Sequence, residues 1–151
     1  MKYTVEMSNK LNELLERTYD AEKGFQQVAE KVENPVIKEF FEKRAKQRYD
    51  FGHELKDEIS AYGQSPDKGG STKATLHRSW INFKSLFTTN NEEAMLKEVK
   101  RGENEAIETY NDIINDKDFI LPPSTESLLM KQRNAIRETL ETAELYETAV
   151  S

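Results

Sequence analysis

The sequence contains no cysteine, which excludes disulfide bonds, thiolate nucleophiles and zinc sites built on cysteine. Proline and glycine are scarce, with four and six residues in a chain of 151, and this favours long helices. No apolar run approaches the roughly 20 residues of a membrane span, and the first ten residues lack the apolar segment of a signal peptide. We therefore expect a cytoplasmic protein with no membrane span.

Charge is abundant but unbalanced, because 28 acidic residues oppose 22 basic ones and leave a net charge of −6. An acidic surface repels polyanions, so nucleic acid is not an expected partner. The length fits a single domain over residues 1–151 with a core of its own. Motifs of serine hydrolases, phosphate-binding loops and dinucleotide-binding folds are not found in the sequence.

Apolar residues recur at helical spacing along most of the chain and predict an all-α fold. Four long helices are expected over about residues 8–32, 35–62, 91–115 and 125–150. Their predicted caps are, in order, Ser8 or Asn9, then Asn34 before Pro35, then Asn90 in a capping box with Glu93, and last Ser124 or Thr125.

A shorter helix is predicted between the second and third long helices, over about residues 73–87. It carries large apolar residues at helical spacing, namely Leu76, Trp80, Phe83 and Phe87. Two interpretations stay open: the helix lies flat on the bundle, or its aromatic residues form a surface for self-association.

The connections predict how the helices are arranged. The tight turn at Asn34 and Pro35 makes the first two helices antiparallel. The segment 63–90 is too long for a hairpin turn, which indicates a crossover along the bundle and hence a ferritin-like four-helix bundle. A simple up-and-down bundle is the alternative.

The spacing Asp50-x-x-His53 is typical of half a two-metal site in such bundles. Relative to the apolar stripe of its helix, however, Asp50 lies roughly 140° and His53 roughly 160° from the centre. Both side chains are therefore predicted to face solvent, where they cannot contribute to a metal site in the core.

Other polar residues are predicted to face inward, because they fall within the apolar stripes of their helices. Glu22 and Arg48 lie at the same distance from the first turn, so we expect these two side chains to meet, and Glu103 and Arg133 form a less certain second pair. The predicted polar core consists of Glu22, Arg44, Arg48, Glu103 and Arg133.

Four stretches, "LNELLER", "RAKQRYDFGHEL", "LHRSWINFK" and "KRGENEAIETY", resemble a bacterial ferritin-like family of unknown function. The resemblance covers roughly residues 8–145, which suits one domain. It implies a ferritin-like fold and a cytosolic protein. The wider superfamily includes di-iron oxidases and storage proteins, and Glu22 and Glu103 resemble the lone carboxylates of their metal sites. Arg48 and Arg133 fall where Glu-x-x-His pairs are expected.

These patterns predict a non-enzymatic bundle that acts through oligomerisation or binding of another protein, without a cofactor. A salt-bridged polar core takes the place of a two-metal site in this interpretation. The alternative is a ferritin-like oxidase or storage protein that binds iron or manganese, with Glu22 and Glu103 as the candidate ligands.

Overall fold

The computed structural model describes residues 2–67 and 91–151. The regular elements in these residues are four long helices: α1 (Lys2–Lys31), α2 (Pro35–Ala61), α3 (Glu92–Ile114) and α4 (Pro123–Val150). The predicted all-α, four-helix architecture is thereby confirmed. The predicted short helix with Leu76, Trp80, Phe83 and Phe87 lies outside the described residues. Within the described ranges, no helix combines the length and the apolarity needed to cross a lipid bilayer.

The first helix begins earlier than the sequence indicates. α1 starts at Lys2, so Ser8 and Asn9 lie inside it and the prediction of a cap there is wrong. Tertiary contacts extend the helix: the ring of Tyr3 stacks on that of Phe119 with centroids 4.9 Å apart, and its hydroxyl donates to the Ile120 carbonyl at 2.6 Å.

Two other helix starts also differ from the predicted caps. Asn91 caps α3, because its side-chain oxygen accepts from the Ala94 N–H at 3.0 Å; Asn90 is outside the described residues. α4 begins at Pro123 without a side-chain cap, so Ser124 and Thr125 lie within its first turn. Proline has no N–H group, so a proline at the first helical position removes one of the donors that a capping side chain would otherwise satisfy.

The helix ends show that α2 and α3 run in the same direction. At one end of the bundle, the Asn34 N–H donates to Glu92 Oε2 at 3.1 Å, which joins the starts of both helices. At the other end, the Tyr62 and Thr125 hydroxyls lie 2.7 Å apart, next to the end of α2 and the start of α4. The order is therefore that of a ferritin-like bundle, and the simple up-and-down alternative is wrong.

The chain after α2 turns back along α1 as far as it is described. Gly63, with a φ of 74°, occupies the left-handed region at this turn. The Asp67 N–H then donates to Asn12 Oδ1 at 2.8 Å, and the Tyr19 hydroxyl donates to the Asp67 carbonyl at 3.2 Å. These bonds fix the direction in which the crossover begins.

Among the described residues, the apolar core consists of two clusters, one towards each end of the bundle. α1 packs closely on α2, and α3 on α4, whereas the two helical pairs are packed less closely against each other. The first cluster includes Phe25, Val28, Ile37, Phe40, Phe41, Met95 and Val99, and the second includes Leu11, Leu15, Phe51, Leu55, Ile113, Leu129 and Ile136.

We predict that Asn34→Ala lowers the free energy of unfolding by about 1 kcal/mol. The Asn34 side-chain oxygen accepts from the N–H groups of Val36 and Ile37 at 2.9 and 3.2 Å, and alanine leaves both donors without this acceptor. Urea unfolding measures the loss. Asn34→Asp is the matched control, because aspartate keeps the acceptor; equal losses in the two variants would contradict a capping role.

Candidate functional site: a buried arginine–glutamate pair

A buried ion pair lies at the centre of the bundle. Arg48 and Glu103 are each 1% exposed, and Arg48 is among the largest fully buried side chains. Arg48 Nη1 donates to Glu103 Oε1 at 2.8 Å, and Nη2 donates to Oε2. Two parallel bonds between a guanidinium and a carboxylate form the strongest kind of protein hydrogen-bonded pair. Both oxygens of this carboxylate are thus engaged by one arginine.

The guanidinium of Arg48 separates the two apolar clusters. Its central carbon lies 5.3 Å from the ring centre of Phe25 in one cluster and 5.8 Å from that of Phe51 in the other. Arg48 Nε donates to Gln47 Oε1 at 3.3 Å. Aromatic faces attract a cation, most strongly where water is excluded. The charge is therefore solvated by the carboxylate, one amide and two rings.

A second polar group lies next to this pair and joins α2, α3 and α4. The Tyr110 hydroxyl donates to Gln132 Oε1 at 2.7 Å, and Gln132 Nε2 donates to Glu54 Oε1 at 3.0 Å. Burial raises the pKa of Tyr110 above its usual value, and the nearby Arg48 cation only partly opposes this. The tyrosine is therefore a neutral donor at ordinary pH.

Gln132 and Glu54 are not among the residues predicted from the sequence. The buried positions on α4 are alternately four and three residues apart: Thr125, Leu129, Gln132, Ile136, Thr139 and Ala143. This spacing identifies residue 132, rather than 133, as the inward position. Arg133 is half-buried beside it and donates to Asn111 Oδ1 at 2.9 Å, so the predicted pairing of Glu103 with Arg133 is wrong.

The predicted pairing of Glu22 with Arg48 is also wrong. Glu22 is half-buried in a groove between α1 and α2, and its carboxylate accepts a long hydrogen bond of 3.5 Å from Gln26. Arg48 instead reaches diagonally through the bundle to α3. Burial raises the pKa of Glu22, while the positive charges of Lys56 and His53 lower it by less.

Arg44, the remaining residue of the predicted polar core, is half-buried and lies one turn before Arg48. Its guanidinium lies over the Phe40 ring, 5.4 Å from the centre. Burial lowers the pKa of Arg44, and repulsion from Arg48 lowers it further. The five predicted residues thus do not form one hydrogen-bonded network. Arg48 and Glu103 pair, whereas Glu22, Arg44 and Arg133 form no hydrogen bond with them in the described structure.

The residues that the structure describes do not form a two-metal centre of the ferritin type. Such a centre needs several carboxylates and histidines around one cavity. In residues 2–67 and 91–151, no group of three or more histidine, aspartate or glutamate side chains is arranged to hold an ion. Glu103 is bound by a cation, Glu22 faces a surface groove, and Asp50 and His53 are exposed as predicted. Asp50 pairs with Lys46 at 2.8 Å.

The sequence model of the family described as "Domain of unknown function (DUF2383)" matches residues 6–116. The chain belongs to this family. The resemblance found in the sequence, to a ferritin-like family of unknown function, is thereby confirmed. The matched residues of this DUF2383 protein include the whole buried pair. A comparison with curated proteins found no match.

Solved structures of Mycobacterium smegmatis Dps proteins share the fold. A point mutant of Dps1 aligns with a TM-score of 0.79 at 16% identity, covering 97% of each chain. The tetragonal form of M. smegmatis Dps has the same TM-score and identity over 96% of this chain and 88% of that one. At this identity the similarity shows a shared ferritin-like architecture.

We predict that Arg48→Ala lowers the free energy of unfolding by about 3–5 kcal/mol, because it leaves the Glu103 carboxylate buried without its cation. The double variant Arg48→Met/Glu103→Leu is expected to recover most of this loss, because it leaves no buried charge without a partner. Chemical unfolding measures both. Lys46→Ala on the same helix is the control, since its exposed pair with Asp50 contributes little. An Arg48→Ala protein as stable as wild type would contradict the role assigned to the pair.

We predict that Glu22→Gln becomes more stabilising, relative to wild type, as the pH rises from about 4 to 7. A carboxyl whose folded-state pKa is raised binds more protons folded than unfolded, so wild type loses stability as Glu22 ionises. Glutamine removes this loss. Urea unfolding at both pH values measures the difference. Glu30→Gln, in the same groove, corrects for removing one negative charge; a pH-independent difference would contradict the raised pKa.

Proposed function

We propose that this protein is a non-enzymatic ferritin-like bundle that acts through self-association or binding of another protein. The observation that carries the proposal is the bidentate contact of Arg48 with Glu103. The guanidinium bonds to both oxygens of this carboxylate, and its positive charge repels a metal cation that would bind there.

The same chemistry argues against general acid–base catalysis at the centre. A catalytic carboxyl needs contact with a substrate and a pKa near the working pH. Glu103 is buried under apolar side chains and paired with a permanent cation, and burial keeps the neighbouring Tyr110 protonated. These features favour a structural role, in which the ion pair selects the correct alignment of the two helical pairs.

Self-association is supported by apolar side chains that the monomer leaves at its surface. Ile120 is 71% exposed at one end of the bundle, where it adjoins the half-exposed ring of Tyr3. The sequence adds the aromatic residues Trp80 and Phe83, which lie outside the described residues. Exposed aromatic and aliphatic groups of this kind are typical of protein interfaces.

The partner we propose is a second copy of this chain or another protein, not a nucleic acid. The net charge of −6 supports this choice, because a polyanion would have to overcome it. We also propose a cytoplasmic location, which the resemblance to the ferritin-like family implies.

We predict that the purified protein contains far less than one transition-metal ion per chain and forms a particle larger than the 17.5 kDa monomer. Elemental analysis and light scattering after size exclusion measure the two quantities. Near-stoichiometric iron or manganese that survives dialysis would favour the alternative, a metal-binding ferritin-like protein. A monomeric mass at all concentrations would contradict self-association.

Single substitutions at the surface test which of the two apolar regions forms the interface. If the sequence stretch around Trp80 forms the interface, Trp80→Asp lowers the mass to that of the monomer and Ile120→Asp does not. The opposite result assigns the interface to the end of the bundle. Both variants change one apolar residue to the same charged one, so a general loss of solubility does not distinguish them.

A further inference from the structure

A cavity of about 280 Å³ opens between the first half of α2 and the last turns of α4. Its apolar walls include Val36, Phe40 and Tyr146, and the Phe40 and Tyr146 rings meet edge to face with centres 5.3 Å apart. Lys43 and Arg44 bring two positive charges to the same cavity. Neither the family match nor the structural neighbours assign a role to this place.

Arg44 is a cation without an ion-pair partner among residues 2–67 and 91–151. Its Nε is buried and makes no hydrogen bond to the described residues. Glu103, whose negative charge acts on Arg44, has both carboxylate oxygens engaged by Arg48. Arg44 is therefore a half-buried cation that lies beside a second arginine and is not paired with an anion. Buried charges in proteins are normally paired, so binding of an anion at Arg44 would be favourable.

The acidic residues around the cavity do not form an ion pair with Arg44 in the described structure. Glu39 is exposed and pairs with Lys43 at 3.0 Å, so these two charges offset each other at the rim. Glu138 attracts Arg44 through its negative charge, but it is exposed and forms no ion pair with Arg44 in the described structure. Arg44 thus remains the positive group to which an anion inside the cavity would bind.

We propose that this cavity binds a small organic carboxylate, whose carboxylate group pairs with the Arg44 guanidinium and whose apolar part lies against Phe40 and Tyr146. Arginine presents parallel N–H donors that match a carboxylate. The volume is near the lower end of small-molecule sites, which suits a ligand with one ring or a short chain. A free phosphate would gain nothing from the aromatic walls, and Glu39 and Glu138 would repel its higher negative charge more strongly than the single charge of a carboxylate.

Benzoate is a suitable probe, and benzamide is its uncharged counterpart of nearly the same shape. Both are titrated into the intact protein at constant ionic strength, and binding is followed through the NMR signals of residues around the cavity. We expect benzoate to bind at least tenfold more tightly than benzamide. Equal affinities, no binding of benzoate, or tighter binding of inorganic phosphate would overturn the proposal.

Two variants and a control assign the effect to the cavity. Arg44→Gln is expected to remove the preference for benzoate, whereas Arg137→Gln, which changes an exposed arginine on α4, leaves it intact. Tyr146→Ser is expected to weaken benzoate more than acetate, because it removes an apolar wall. An unchanged preference in Arg44→Gln, or equal effects on both acids in Tyr146→Ser, would overturn the proposal. None of these outcomes depends on metal content or on oligomer size.

Discussion

The ion pair between Arg48 and Glu103 is the interaction on which the arrangement of the bundle depends. It joins α2 to α3, the two helices that lie diagonally across the core, and so connects one helical pair to the other. The apolar clusters at either end are non-directional and tolerate sliding of one pair against the other. A bidentate pair between two fully buried groups does not tolerate it, because any shift leaves both charges desolvated and unpaired.

Polar contacts repeat this connection towards one end of the bundle. Gln132 of α4 bonds to Glu54 and to the Phe51 carbonyl of α2, and Thr125 donates to Glu58 further along the same two helices. Both apolar clusters contain residues from the two helical pairs, and these hydrogen bonds add directional contacts between the pairs. We infer that apolar contacts supply most of the stability, and that the buried polar contacts disfavour misaligned packings of the two pairs.

The sequence predicts the helices and their order because these depend on local signals. Asn34 caps α2 as predicted, since a cap requires only its own neighbouring N–H groups. The start of α1 is not predictable in this way, because it depends on the contact of Tyr3 with Phe119, more than a hundred residues away. The stripes on the helices identify Arg48 and Glu103 as inward residues. They do not identify the partners. Counting residues from a turn shows which positions on two neighbouring helices lie at the same height, whereas the long Arg48 side chain crosses the core to a helix diagonally opposite.

The choice of arginine at position 48 also has a chemical consequence for the rest of the core. A guanidinium is a permanent cation, and at this buried position its charge is matched by the carboxylate of Glu103. One carboxylate satisfies one arginine, and Arg44, one turn away, is left to interact with the ring of Phe40 and the cavity beside α4. Because Glu103 is paired with Arg48, Arg44 has no ion-pair partner among the described residues, and this is the basis of the anion site proposed beside α4.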